Sequence, residues 1–338
     1  TFAVSMVAEY HAIDTRATRD EIIFNYGWVA SGTGVHDFGR TGTVGIEHDT
    51  GWQCEEYSHK SASLSNGLSI LFTPFVPVYD STDYDGNGVP DVAVWRPDDG
   101  NIYRRYDNGT TSMRHWGTRG DICLPGDYDG DGKADDMVYR PSTGEWWGRD
   151  PFTMTSWGTH GDIPVPADYD NDGKTDLAVF RPSNGSWYIR YSSGGTGFIP
   201  WGTQGDIPVP NDYDNDGKAD LAVYRTSTGV WWIRKSSNPA TAYVMPWGTD
   251  GDVPAPVGYY TSFPNPCVYR PSNGGWYVKL QHIGNCSVSF WGADYDVPVP
   301  GNVSYGGESL FIVWRPSNGV WYKKSGAAGF AWGAAGDK

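Results

Sequence analysis

Four stretches of this chain crowd carboxylates at one fixed spacing. In the second, "DYDGDGKAD", Asp127, Asp129, Asp131 and Asp135 fall at positions 1, 3, 5 and 9, with Gly132 at position 6. The same places hold Asp83, Asp85, Asn87 and Asp91 in the first stretch, Asp168, Asp170, Asp172 and Asp176 in the third, and Asp212, Asp214, Asp216 and Asp220 in the fourth. Alternate carboxylates on a tight loop converge on one point, and the glycine permits the sharp turn that brings them there. Hard oxygen donors at this density suit Ca²⁺, which takes six to eight oxygens in flexible geometry. The carbonyl of Lys133, at position 7, is an expected further ligand. No Cys or His stands nearby, which argues against zinc. A catalytic ion needs an open coordination position and acid/base partners. Four equivalent loops, each filled by its own oxygens, predict about four Ca²⁺ ions in a structural role.

The helix-flanked calcium loop opens the same way but places a bidentate Glu at position 12. Here position 12 of the second copy is Val138, inside an alternating apolar run. The loop therefore leads into a strand. The surrounding sequence repeats with it: Trp116, Trp157, Trp201, Trp247, Trp291 and Trp332 each open a "WG" phrase, 41 to 46 residues apart. Each unit reads as four short strands. In the third, "DIPVPADYD" leads into the loop, "DLAVFRP" and "SWYIRYS" alternate around an "SNG" turn, and "GFIPWG" closes the unit. No segment shows a 3.6-residue period. Four strands per ~40–45 residues, repeated six times from about residue 76 to 338, predict an all-β, six-bladed β-propeller. The fifth and sixth units, "VGYYTSFPNP" and "GNVSYGGES", lack the carboxylates. No calcium is expected there.

The phrasing "DxDxDGxxD…RPSNGxWY…WGTxGD" resembles the FG-GAP or VCBS-type repeats of extracellular propellers, including those of integrin α-chains. The resemblance implies a propeller with calcium between the first two strands of a blade. Residues 1–75 do not follow the repeat. They read as a small N-terminal β-domain or as a divergent first blade of a seven-bladed ring. The phrases "EIIFNYG…TVGIEHDTG…LSNGLSILFTP" resemble a β-rich domain of bacterial secreted proteins. Its first strand leaves an open sheet edge as a route to self-association.

Net charge is −15, which repels nucleic acid and anionic membranes, and no apolar run is long enough for a membrane helix. The chain starts at Thr1, which fits either a processed secreted chain or a boundary set by expression. Four cysteines admit a Cys267–Cys286 pair within one repeat and a Cys54–Cys123 pair beside it, both suited to an oxidising compartment.

Two further sets recur. Arg96, Arg140, Arg181, Arg225, Arg270 and Arg315 follow an aromatic in every unit; they form either a ring for an anionic ligand or a repeated scaffold contact. In the pairs Trp146/Trp147, Trp187/Tyr188, Trp231/Trp232, Trp276/Tyr277 and Trp321/Tyr322, neighbours face opposite sides of a strand. One packs between blades, and the other either packs too or lines a groove suited to sugar rings. No catalytic residue can be named: no Ser/His/Asp or Cys/His order is legible among the seven histidines. The sequence therefore predicts a secreted or cell-surface, calcium-stabilised binding, adhesion or assembly module, with a glycan or an extracellular protein as ligand. The alternatives are a multivalent lectin, a polysaccharide lyase or glycosidase on the same scaffold, and a self-assembling subunit.

Overall fold

The computed structural model describes residues 28–31 and 34–37 and, between 82 and 332, all but 97, 258–263, 281–285, 294–295, 300–310, 316 and 325–329. Trp28–Ser31 and Gly34–Asp37 form an antiparallel hairpin. The other residues of the proposed N-terminal domain, Cys54 among them, lie outside the described set.

Every later strand belongs to one of six antiparallel sheets, each a blade in simple sequence order. Blade 1 has three described strands, Val92–Arg96, Asn101–Arg105 and Thr111–His115. Blade 2 has Ile122–Cys123, Met137–Arg140, Glu145–Gly148 and Thr153–Ser156; blade 3 has Ile163–Pro164, Leu177–Arg181, Ser186–Arg190 and Thr196–Pro200. Blade 4 has Asp206–Pro208, Leu221–Arg225, Val230–Arg234 and Ala242–Pro246; blade 5 has Val253–Pro254, Cys267–Arg270, Gly275–Lys279 and Cys286–Phe290. Blade 6 has Val297–Pro298, Ile312–Arg315, Val320–Lys323 and Phe330–Ala331. The short first strand and the hairpin "SNG" or "STG" turns stand where the sequence period places them.

Alternation on the second strand explains why blades stack. In blade 3, Ala178 and Phe180 join a buried cluster with Leu221 and Val223 of blade 4. Val179, between them, faces the other way into the cluster of Leu124, Tyr139 and Trp146 from blade 2. Both faces of the strand are therefore buried, and the run reads as continuously apolar. The same exchange links blades 4 and 5 through Val268 and blades 5 and 6 through Val313. Val94 of blade 1 packs with Ile312, Trp314 and Trp321 of blade 6, which closes the ring.

Tryptophan locks the stack. The buried Trp187 donates its indole N–H to the carbonyl of Trp201 at 2.7 Å, closing its own blade. Trp201 in turn donates across to the carbonyl of Trp232 in blade 4 at 3.3 Å. Equivalent bonds run from Trp157 to Tyr188 and from Trp247 to Tyr277. The glycine after the Trp is required by its backbone and by space: Gly202 sits at φ 134, and its own Cβ would meet the Phe180 ring at 3.0 Å. The turn glycine Gly185 is required in turn, since a Cβ there would meet the Gly202 carbonyl oxygen at 2.2 Å.

Candidate metal centres

In blades 2 to 4 each acidic loop spans the gap between the first and second strands, and in blade 1 it leads into Val92–Arg96. Position 1 shapes it. Asp127 Oδ1 accepts the N–H of Gly130 at 2.6 Å and of Asp131 at 3.2 Å, and its Oδ2 accepts that of Gly132 at 2.9 Å. Asp83 and Asp168 do the same in blades 1 and 3. The turn drives position 4 left-handed, so Gly86 and Gly130 stand there in blades 1 and 2, and Asn171 (φ 63) and Asn215 (φ 60) in blades 3 and 4. Asparagine is the side chain that best tolerates that region.

Position 9 anchors the loop to the sheet. Asp176 Oδ2 accepts the N–H of Tyr169 at 2.9 Å and its Oδ1 that of Ser192 at 2.7 Å. Asp220 is held alike by Tyr213 and Ser236. The backbone of position 9 also bridges the strand entering the loop, as Asp176 to Ala167 and Asp220 to Asn211.

Positions 1, 3 and 9 converge. In Asp83/Asp85/Asp91, Asp127/Asp129/Asp135, Asp168/Asp170/Asp176 and Asp212/Asp214/Asp220, one carboxylate oxygen from each residue lies within 4.8 Å of the others. Oxygens about 2.4 Å from a common ion are at most about 4.8 Å apart, so these triads fit the calcium radius. Position 5 has a further part in shaping the loop. Oδ1 of Asp131, Asp172 and Asp216 accepts the N–H of position 7 at 2.9 Å, closing an Asx turn, and Asn87 does so at 2.7 Å.

Two serines per loop, silent in the sequence, complete blades 3 and 4. Ser192 and Ser236 donate to Asp172 and Asp216, while Ser193 and Ser237 donate to Oδ2 of the position-3 residues Asp170 and Asp214. The other position-3 oxygens, Oδ1 of Asp170 and of Asp214, are buried without a hydrogen-bond partner. A buried carboxylate oxygen without a donor is expensive, and a hard cation is the partner it fits. Burial also raises the position-9 carboxyls: Asp91, Asp135 and Asp176 to about 6 and Asp220 to about 7. The residues present thus fit Ca²⁺, which positions 1, 3 and 9 would hold.

Blade 5 keeps the corner and loses the charge. The bridge between Val257 and Asn265 takes the place of that between Asn211 and Asp220, so a fully buried asparagine stands at position 9. Residues 258–263, and the corresponding loop of blade 6, lie outside the described residues.

Five of the six repeated arginines make one scaffold contact. Arg181 Nε and Nη2 donate to the two carboxylate oxygens of Asp162, both at 2.8 Å. Arg140, Arg225, Arg270 and Arg315 clamp Asp121, Asp206, Asp252 and Asp296 in the same bidentate way. These aspartates close each "WGTxGD"-type phrase. Each guanidinium also stacks on the second aromatic of its blade, Arg181 over Tyr188 at 4.2 Å and Arg225 over Trp232 at 5.1 Å. The first aromatic of each pair is buried. The second borders the outer strand, whose Met154 and Phe198 are exposed.

The cysteine pairing expected from sequence does not form. Cys267 and Cys123 are free thiols. Cys267 opposes Val278, and Lys279 of that same strand opposes Cys286. A whole strand therefore separates the two cysteines, roughly 9–10 Å, beyond disulfide reach. Cys286 is disulfide-bonded.

Residues 168–223 match the FG-GAP-like repeat family. No curated protein matches the chain. Among solved structures it is similar to virginiamycin B lyase from Staphylococcus aureus (9% identity, TM-score 0.46, over 73% of this chain and 82% of that one). It is also similar to a streptogramin B lyase (10%, 0.49, 72% and 80%). A third likeness is to an Agrocybe aegerita lectin recognising non-reducing terminal N-acetylglucosamine (14%, 0.46, 74% and 78%). The chain is a six-bladed β-propeller carrying an FG-GAP-like repeat.

Proposed function

We propose that this protein is an extracellular binding module, a propeller stapled by calcium at the corners of blades 1 to 4, whose ligand is a glycan. The observation that carries the reading is a repeated aromatic platform. On one face of successive blades an Asp-neutralised arginine reaches over an aromatic ring, and an apolar outer-strand residue stands directly opposite that ring: Arg140, Trp147 and Met154; Arg181, Tyr188 and Phe198; Arg225, Trp232 and Val244. The exposed side chains of Met154, Phe198 and Val244 beside these half-buried rings offer an apolar surface without net charge, which suits neutral sugar rings. Millimolar extracellular calcium suits loops of modest affinity. No helix among the described residues is long and apolar enough to cross a membrane.

The test is a glycan array probed with calcium-loaded protein, followed by titration of any hit against Trp232→Ala and Tyr188→Ala. Binding that weakens at least tenfold in these variants supports the reading. An empty array, or hits indifferent to both substitutions, would overturn it and leave a protein ligand on the exposed outer strands.

A further inference from the structure

The acidic loops touch one another. The N–H at position 8 of each loop donates to the carbonyl at position 1 of the loop before it: Ala134 to Asp83 at 2.7 Å, Thr175 to Asp127 at 2.7 Å and Ala219 to Asp168 at 2.8 Å. The lysine at position 7 crosses the same boundary. Lys174 Nζ donates to the carbonyl of Asp129 at 2.7 Å, and its stem lies over Gly130, where an added Cβ would meet Cε at 2.8 Å. Lys133 lies over Gly86 in the same way, at 3.0 Å. Lysine occupies position 7 in the three loops that follow an acidic loop (Lys133, Lys174 and Lys218), whereas the first loop has Val89. The row also has a built end. In blade 5 the residue before Asn265 is Pro264, which has no N–H and cannot form the next rung.

We propose that the four loops bind calcium as one coupled row from blade 1 to blade 4 and not as independent sites. The inference rests on the calcium reading of these loops. Each rung joins position 1, whose side chain belongs to one triad, to position 8, the neighbour of the position-9 carboxylate in the next. An ion that fixes Asp127 also fixes the acceptor restraining Thr175 and, through it, Asp176. The second loop then loses less freedom on binding, which gives positive coupling without a change of shape. Repulsion between neighbouring ions acts in the opposite sense and weakens with salt. The sign of the coupling therefore reports which effect wins, and the rungs predict positive.

The experiment is calcium titration of the whole chain against a competing chromophoric chelator in 0.15 M salt, for wild type, Thr175→Pro and Lys174→Met. Thr175→Pro copies the proline of blade 5 and cuts the row in the middle while keeping every carboxylate. Expected are four ions bound with a Hill coefficient of about 2 in wild type, falling toward 1 in Thr175→Pro and part-way in Lys174→Met. If Thr175→Pro does not fold, Lys174→Met decides. A Hill coefficient of 1 or below in wild type, or one unmoved in the variants, overturns the coupling and leaves the calcium sites standing. No calcium bound at all overturns both.

Discussion

Blades 4 and 5 are neighbours built on one plan, and they part company at a single corner. Both close with a buried tryptophan bonded to the next tryptophan carbonyl, Trp231 to Trp247 and Trp276 to Trp291, each at 2.8 Å. Both clamp an arginine on a buried aspartate. At the loop, blade 4 presents Asp212, Asp214 and Asp220, while blade 5 has Pro264 and Asn265. A blade therefore folds without the carboxylates. They weigh against folding in blade 4, since buried like charges repel and lose hydration, and only a cation turns them to advantage.

Removing calcium exploits the difference most. At free calcium a hundredfold above Kd, each site contributes ~2.7 kcal/mol, so four contribute roughly 10 kcal/mol. A strong chelator should lower the Tm by about 20 °C for a domain of this size. Hydrogen exchange read residue by residue should show protection lost at the loops of blades 1 to 4 and retained at the Val257–Asn265 bridge. Equal loss in blade 5 would erase the contrast.

Next in size is the scaffold term, which the two blades should share. Trp231→Ala and Trp276→Ala each remove a fully buried indole and should cost about 3–5 kcal/mol, alike in calcium and in chelator. Urea unfolding in both conditions measures this. A calcium-dependent cost for Trp231 alone would mean that loop and scaffold are not separable.

How far the sequence anticipated this division follows from where each contact lies along the chain. The blades, their phase and the acidic triads were legible because each is written within one repeat and then copied. The arginine clamp was half-legible: Arg181 recurs, but its partner Asp162 lies 19 residues earlier, across a first strand only two residues long. What could not be read was contact between non-equivalent residues. Arg104 of blade 1 and Asp136 of blade 2 form a buried ion pair. At the corresponding boundary Ile189 of blade 3 packs in one apolar cluster with Leu221 of blade 4. Ser193 and Ser237 carry no signal within the repeat, and it is the fold that sets them against Asp170 and Asp214. The misread cysteines follow the same rule, since strand order and not sequence distance separates Cys267 from Cys286.

A swap of charge between the two corners is a finer probe. Asp214→Asn should cost about 2–3 kcal/mol in calcium, one site's contribution, and nothing in chelator, where it relieves repulsion at Asp220. Asn265→Asp should destabilise by about 1–3 kcal/mol in either condition, because it buries a carboxylate beside Pro264. Rescue of Asn265→Asp by calcium would show that blade 5 retains a cation site.

The smallest effect has a distinctive sign. In the metal-free protein, burial lifts the carboxyls of Asp91, Asp135 and Asp176 from an ordinary 3.8 to about 6 and that of Asp220 to about 7. The folded chain then holds more protons than the unfolded chain across that interval, so stability falls as pH rises through it. With chelator present, the Tm contribution of these loops should be complete below about pH 4 and decline toward pH 7. With calcium present the slope should invert, because protons and the cation compete for the same oxygens and the cation gains as pH rises. Asn265 has no proton to lose, so local exchange at blade 5 should follow neither slope. A chelated Tm that climbs between pH 4 and 7 would mean that the backbone N–H groups around position 9 outweigh burial, and that calcium is not needed to keep those carboxylates charged.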